Sequence, residues 1–144
     1  MRAHGFTLIE LLVVLAIAAL VMTYAPPLIA NALPGLRFQT ATRDIGAALR
    51  ATRGAAVAEN REAVFTLDTE TGRYRGDGAR EGRLPGDLAI SFVTAQSERI
   101  DRATARIRFF PDGGSTGGRI TLGRGERVGS VTVDWLTGRI SQSE

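Results

Sequence analysis

From Phe6 to Ile29 the chain runs twenty-four residues with a single charge, Glu10. No other stretch limits the fold so severely. As an α-helix at about 1.5 Å per residue it is about 36 Å long, enough to cross a hydrocarbon core of about 30 Å with some tilt. Residues 6–29 are therefore expected to form a transmembrane helix. Ahead of it lies a stub that carries Arg2 and His4 and ends at Gly5. Glu10 is the anomaly. An ionised group at the centre of a membrane helix costs about 2.5–3.5 kcal/mol on insertion scales, and less near an interface. A plain anchor has no use for such a residue, so Glu10 asks for a partner.

The run Gly5-Phe6-Thr7-Leu8-Ile9-Glu10 resembles, without a gap, the leader motif of the type IV pilin and type II secretion pseudopilin superfamily. The resemblance implies that residues 1–5 are a prepilin leader peptide. It implies that a membrane-embedded aspartic prepilin peptidase cuts between Gly5 and Phe6 and methylates the new amine on Phe6. A glycine without a side chain offers least obstruction to an extended scissile bond. In this family the carboxylate at the position of Glu10 compensates the positive N-terminus of an adjacent subunit in the filament core. Removing one member of such a pair leaves a buried charge costing about 3–5 kcal/mol. Glu10 is thus expected to serve filament assembly rather than catalysis. A cleaved secretory signal, with the small-x-small site Ala30-Asn31-Ala32, and an uncut signal anchor are the competing readings. Glu10 sits where the apolar core of a signal should begin, which argues against both.

Beyond the apolar helix, residues 30–144 read as one domain, expected in the periplasm. Its length suits a single modest core. There is no cysteine, so neither a disulfide framework nor thiol chemistry is available. All 18 basic residues are arginine and the formal net charge is only +3, which does not announce nucleic acid and rules out a Schiff-base lysine. Pro26-Pro27 and Pro34-Gly35 should kink or loosen the helix, and the resemblance places a helix-bending proline at Pro27. Helical character should resume near Leu36 and last to about Asn60. Ala41, Ile45, Ala48, Leu49 and Ala56 then share one face, while Arg43, Arg50, Glu59 and Arg61 mostly lie off it. A stripe rich in alanine lets a helix lie close against a sheet.

After Asn60 the apolar period changes to two. Val64, Phe65 and Leu67 open a β-like run, followed by alternation at Leu88, Ile90 and Phe92, at Ile107 and Phe109, at Ile120 and Leu122, and at Val131 and Val133. The expected fold is α+β: a long N-terminal helix packed on antiparallel β-sheets. Residues 71–87, rich in glycine and arginine, read as an exposed loop with one short strand at its start. The segments 68–73 and 134–139 both read D-x-x-T-G-R and suit four-residue hairpin loops, with the aspartate accepting backbone N–H bonds and glycine in the left-handed position. Neither supplies the clustered oxygen ligands of a calcium loop. Trp135 is expected to pack beside the last hairpin, with an exposed aromatic contacting a neighbouring subunit as the alternative.

IRFFPDGGSTGGRITL and VTVDWLTGRI look like the C-terminal domain of the H-type minor pseudopilin of type II secretion, a domain family that includes certain minor type IV pilins. LRATRGAAVAENREAVFTLD is similar in pattern. The glycine loop lacks the lysine of a P-loop and leads into a strand. No G-x-S-x-G elbow occurs, and the one histidine, His4, falls in the leader. No enzyme activity, cofactor or metal is expected. The resemblance implies a minor pseudopilin near the tip of a periplasmic fibre that helps export folded proteins. Its partners would be the prepilin peptidase, the other minor pseudopilins of the tip, the major pseudopilin shaft and the inner-membrane assembly platform. The alternative is a minor type IV pilin of the DNA-uptake kind, with Arg99, Arg102, Arg106 and Arg108 as phosphate ligands. Solvated strand and loop arginines are the plainer reading of those four, so nucleic acid is not an expected partner.

Overall fold

The computed structural model describes residues 7–95, 98–101 and 103–143, with the side chains of 23–35 outside the description. Gly5, Phe6 and Arg102, singled out above, also lie outside the described residues. The chain divides into two compact units, one ending at Leu36 and one beginning at Arg37.

One helix, α1, spans Leu8–Ala58. In the first unit its described side chains, Glu10 apart, are apolar on every side: Leu8, Leu11, Leu12, Leu15 and Leu20 are all exposed, as are the valines between them. A helix apolar all round is made to be covered by something other than water. Among the described residues no helix is long and apolar enough to cross a membrane. The expected span 6–29 also takes in Phe6 and residues 23–29, whose side chains are not described. The backbone stays helical through Pro26, Pro27, Pro34 and Gly35, so the expected loosening, with the helix resuming near Leu36, does not occur. A proline forfeits one N–H bond while the ladder on either side continues. The bend expected at Pro27 falls on residues whose side chains lie outside the description.

In the second unit the helix buries a stripe at helical spacing. The expected Ala41, Ile45, Ala48, Leu49 and Ala56 are all inside, joined by Phe38, Thr42 and Thr52. The two threonines are tolerated because each hydroxyl donates to the carbonyl one turn back, Thr42 to Phe38 at 3.2 Å and Thr52 to Ala48 at 2.9 Å. The helix ends where the sequence indicated. Asn60 takes the left-handed conformation, and the amides of Asn60 and Arg61 close on the carbonyls of Val57 and Ala56, a Schellman-type stop.

Among the described residues eight strands follow: β1 Ala63–Asp68, β2 Arg73–Gly76, β3 Gly82–Arg83, β4 Ala89–Thr94, β5 Thr104–Phe109, β6 Gly118–Arg124, β7 Arg127–Val133 and β8 Ile140–Ser143. They form two four-stranded antiparallel sheets. Sheet A has the order β3-β2-β1-β5 and sheet B the order β4-β6-β7-β8. Phe65, Leu67, Ile107 and Phe109 from sheet A meet Ile120, Leu122, Val131 and Val133 from sheet B in one core with the helix stripe. Two glycines let the sheets come close to the helix: a Cβ on Gly129 would meet the Phe38 ring at 3.0 Å, and one on Gly76 would strike the Thr52 hydroxyl. Where the sheets join, the Thr94 hydroxyl donates to the Arg106 carbonyl at 2.9 Å, and Thr116 and Arg108 exchange hydrogen bonds.

Residues 71–87 differ from the expected loop. They hold two strands, β2 and β3, not one. Tyr74 stacks on Phe65 at 6.1 Å between ring centroids, and Leu84 is buried. The strand expected at the start is β2, which carries Tyr74; the second, β3, and the lone Leu84 were hidden among arginine and glycine. The two D-x-x-T-G-R segments are hairpin turns, as expected. Asp68 Oδ1 accepts the amides of Glu70 (2.9 Å) and Thr71 (3.0 Å), and Asp134 Oδ1 accepts those of Leu136 (3.1 Å) and Thr137 (2.8 Å). Gly72 and Gly138 hold positive φ.

Phe65→Ala should cost about 3–5 kcal/mol of stability in urea unfolding, because it empties a fully buried site. A loss within error of zero would contradict a core centred there. The turn amides hold the carboxyls of Asp68, Asp101 and Asp134 below their ordinary value, chiefly through the N–H groups of Thr71, Thr104 and Thr137. A carboxyl lowered by folding stabilises the fold above its unfolded value and loses that contribution as pH falls. Thermal stability should therefore drop below about pH 4. Asp134→Asn keeps an acceptor oxygen for the turn, so its decline should be shallower than wild type; an identical slope would exclude this carboxyl as a source.

Candidate functional site

At the start of α1 the sequence Thr7-Leu8-Ile9-Glu10 is an N-cap arrangement. Thr7 precedes the helix, and its Oγ1 accepts the Glu10 amide at 3.4 Å while its carbonyl accepts the amides of Glu10 and Leu11. Glu10 occupies the third helical position, where a carboxylate is favoured by the exposed N–H groups and the helix dipole. The Thr-x-x-Glu spacing was visible in the sequence, but the cap was not recognised there. It gives Glu10 a local use. The carboxylate itself is exposed, and among the described residues no hydrogen bond or ion pair engages it.

The four arginines considered for phosphate do not form a free cluster. Glu98 is buried, and Arg108 Nε approaches its Oε1 at 3.2 Å while Arg106 Nε faces its Oε2 at 3.6 Å. Arg108 also pairs with Glu62 at 2.6 Å. Glu62, and after it Glu98, hold the Arg108 guanidinium above its ordinary value. An incoming phosphate at Arg106 or Arg108 would have to displace a buried carboxylate, leaving it unpaired at a cost of about 3–5 kcal/mol. Arg99 sits in an isolated bridge with Ala105, and Arg102 lies outside the described residues. The arrangement instead fastens the β4–β5 connection across β5 and to the corner between helix and β1.

The last hairpin presents a different chemistry. Trp135 is 67% exposed and Leu136 66%, so the expectation that Trp135 packs into the fold is overturned. The backbone explains it. The Trp135 carbonyl turns inward to accept the Ser115 amide at 2.9 Å, and the Ser115 hydroxyl donates to the Asp134 carbonyl at 2.9 Å. From the helix, Arg53 donates to the carbonyls of Gly113 and Thr137, each at 3.1 Å. A Cβ on Gly117, which has positive φ, would meet Trp135 Cβ at 2.9 Å, so glycine there lets the loop lie close. The loop is pinned and its two large side chains are left outside. Beside Trp135 runs a groove of about 590 Å³, floored by Gly117 and Gly118 and walled by Val93 and Arg119. Its lining offers shape and apolar contact rather than a reactive group. Among the described residues no three histidine, cysteine or acidic side chains converge as a metal site.

Comparison with known proteins agrees with this geometry. Residues 41–138 match the family model described as type II transport protein GspH, and residues 1–25 match the prokaryotic N-terminal methylation motif. The chain is 35% identical over 139 residues to type II secretion system protein H of Xanthomonas campestris pv. campestris, covering 96% of this chain and 82% of that one. Its fold is similar to the minor pseudopilin EpsH from the type 2 secretion system of Vibrio cholerae, with TM-score 0.59, 12% identity, and coverage of 74% of this chain and 96% of that one. It is also similar to the type IV minor pilin FimU of Pseudomonas aeruginosa, with TM-score 0.56, 13% identity, and coverage of 74% and 88%. With an apolar, capped N-terminal helix leading into two sheets folded on its second half, the chain belongs to the type II transport protein GspH family.

Proposed function

We propose that this chain is a minor pseudopilin: a structural subunit of a type II secretion pseudopilus, set near the fibre tip, that helps export folded proteins across the outer membrane. The observation that carries the reading is the family match over the globular part, joined to a methylation motif on an apolar helix. In this reading prepilin peptidase removes residues 1–5 and methylates Phe6. The helix holds the subunit in the inner membrane as a single span, with the globular part in the periplasm. The assembly platform then extracts it into the fibre beside other minor pseudopilins and the major pseudopilin shaft.

Glu10 serves twice. Its place in the first turn favours the helix start, and its unengaged carboxylate is available to the ammonium on the first residue of a neighbouring subunit. Pro27 supplies the bend that fits the helix into the fibre. The role is structural, with no bond made or broken by the subunit. The pairing of Arg106 and Arg108 with carboxylates weighs against the DNA-uptake alternative.

Gly5→Leu should leave the precursor uncut in the membrane, read by N-terminal sequencing; normal cleavage would contradict the peptidase reading. Glu10→Leu should be processed and inserted like wild type yet be recovered in sheared fibres at about a tenth of the wild-type level or less, the scale expected when one member of a buried charge pair is lost. Undiminished recovery would remove the assembly role. The wild-type chain should show no DNA affinity that falls steeply with salt; such a fall would instead favour the DNA-uptake reading.

A further inference from the structure

The two sheets turn very different outer faces to their surroundings. On sheet A five outward positions of β2, β3 and β5 are arginines, Arg73, Arg75, Arg83, Arg106 and Arg108, around Val64, Thr66, Asp68 and Thr104. On sheet B a row of four hydroxyls crosses all the strands, Ser91 beside Thr121, Thr121 beside Ser130, Ser130 beside Ser143. The next row is Val93, Arg119, Thr132 and Ser141, and the row on the other side is Ala89, Gly123 and Val128. Arg119 is the only charge in these three rows. Charge is depleted at the centre of protein interfaces and kept on solvated surfaces.

The Trp135 loop stands at the rim of this face and shares a groove with Val93, Arg119 and Thr132. The two D-x-x-T-G-R turns provide an internal control. They have the same hydrogen bonds and the same left-handed glycine, yet one carries Thr69-Glu70 at its tip and the other Trp135-Leu136. Turn geometry therefore does not require the large apolar pair. Tryptophan and arginine are the residue types that most often anchor interfaces, and a loop already pinned loses little freedom on binding.

We propose that the outer face of sheet B, with Trp135 and Leu136 at its rim, is the surface on which a neighbouring subunit of the same fibre docks. The inference rests on the pseudopilin reading. The neighbour brings a carboxylate to Arg119, whose Nε is already steadied by Thr132 at 3.3 Å, and an aliphatic side chain to the groove beside Trp135. Four strands about 4.8 Å apart and five residues long at about 3.3 Å each give a flat area of about 300 Å². A free-standing complex needs about 800 Å² on each partner. So small a face suits a contact between subunits that are also joined through their helices, and does not suit a self-sufficient dimer.

The test uses the full-length chain in cells that make its whole secretion apparatus. Photo-crosslinking benzoylphenylalanine replaces Thr121, Thr132 or, on the sheet A face, Arg75. Thr121 and Thr132 should give adducts whose second chain begins at a methylated residue left by prepilin peptidase. Arg75 should give about a tenth as much or less, and Arg119→Glu and Trp135→Ala should each cut the sheet B adducts by about tenfold. Equal adducts from Arg75, a second copy of this chain or an exported protein in the adduct, or yields untouched by both variants would overturn the docking face in a processed chain. A wild-type chain that keeps Met1 would instead overturn the pseudopilin reading, and the inference with it.

Discussion

The second unit depends on a close approach between one helix and two sheets. The inner faces of both sheets are buried with the helix stripe in one core. The stretch of α1 from Phe38 to Ala56 supplies the shared wall, with alanine at Ala41, Ala48 and Ala56 and a glycine on each sheet to receive Phe38 and Thr52. Small residues on both sides bring backbones near enough for dispersion and burial to act on the large side chains between them. Arg53 extends the same attachment outward, tying the helix to two loops that Ser115 already joins to each other.

That attachment also explains how the unit keeps its surfaces distinct. Helix and core occupy the inner faces, so everything the outer faces carry is free to serve solubility or contact. Sheet A devotes its outer face to charge, much of it neutralised locally by Glu98 and Glu62. Sheet B fills its outer face with hydroxyls and small aliphatic groups. A fibre subunit fastened at one end by an apolar helix has little need for a large second interface. A modest face with a single charge, Arg119, and one rigid aromatic loop fits that division of labour.

Much of the fold was legible in the residues. The alanine stripe, the stop at Asn60, the inward pairs from Ile107 to Val133 and both aspartate turns followed from periodicity and turn chemistry, which act over a few residues. The α+β arrangement followed from the order of those patterns. The second strand within residues 71–87 was missed because Leu84 is buried by partners distant in sequence, while its own neighbours are arginine, glycine and proline. The break before Leu36 was misread in the other direction: the backbone stays helical there, since a proline forfeits one N–H bond while the ladder on either side continues.

The N-terminal motif and its apolar run, and with them the family, were determined by the order of residues alone, since a methylation motif and an apolar helix are contiguous features. The fate of Trp135, of Arg106 and Arg108, and of the two sheet faces was decided only by folding. Exposure is set by what lies opposite a side chain, and Ser115, Arg53 and Glu98 reach those positions across long separations in the chain. A buried glutamate turned two apparent phosphate ligands into structural ties. An inward-facing carbonyl left an aromatic ring outside.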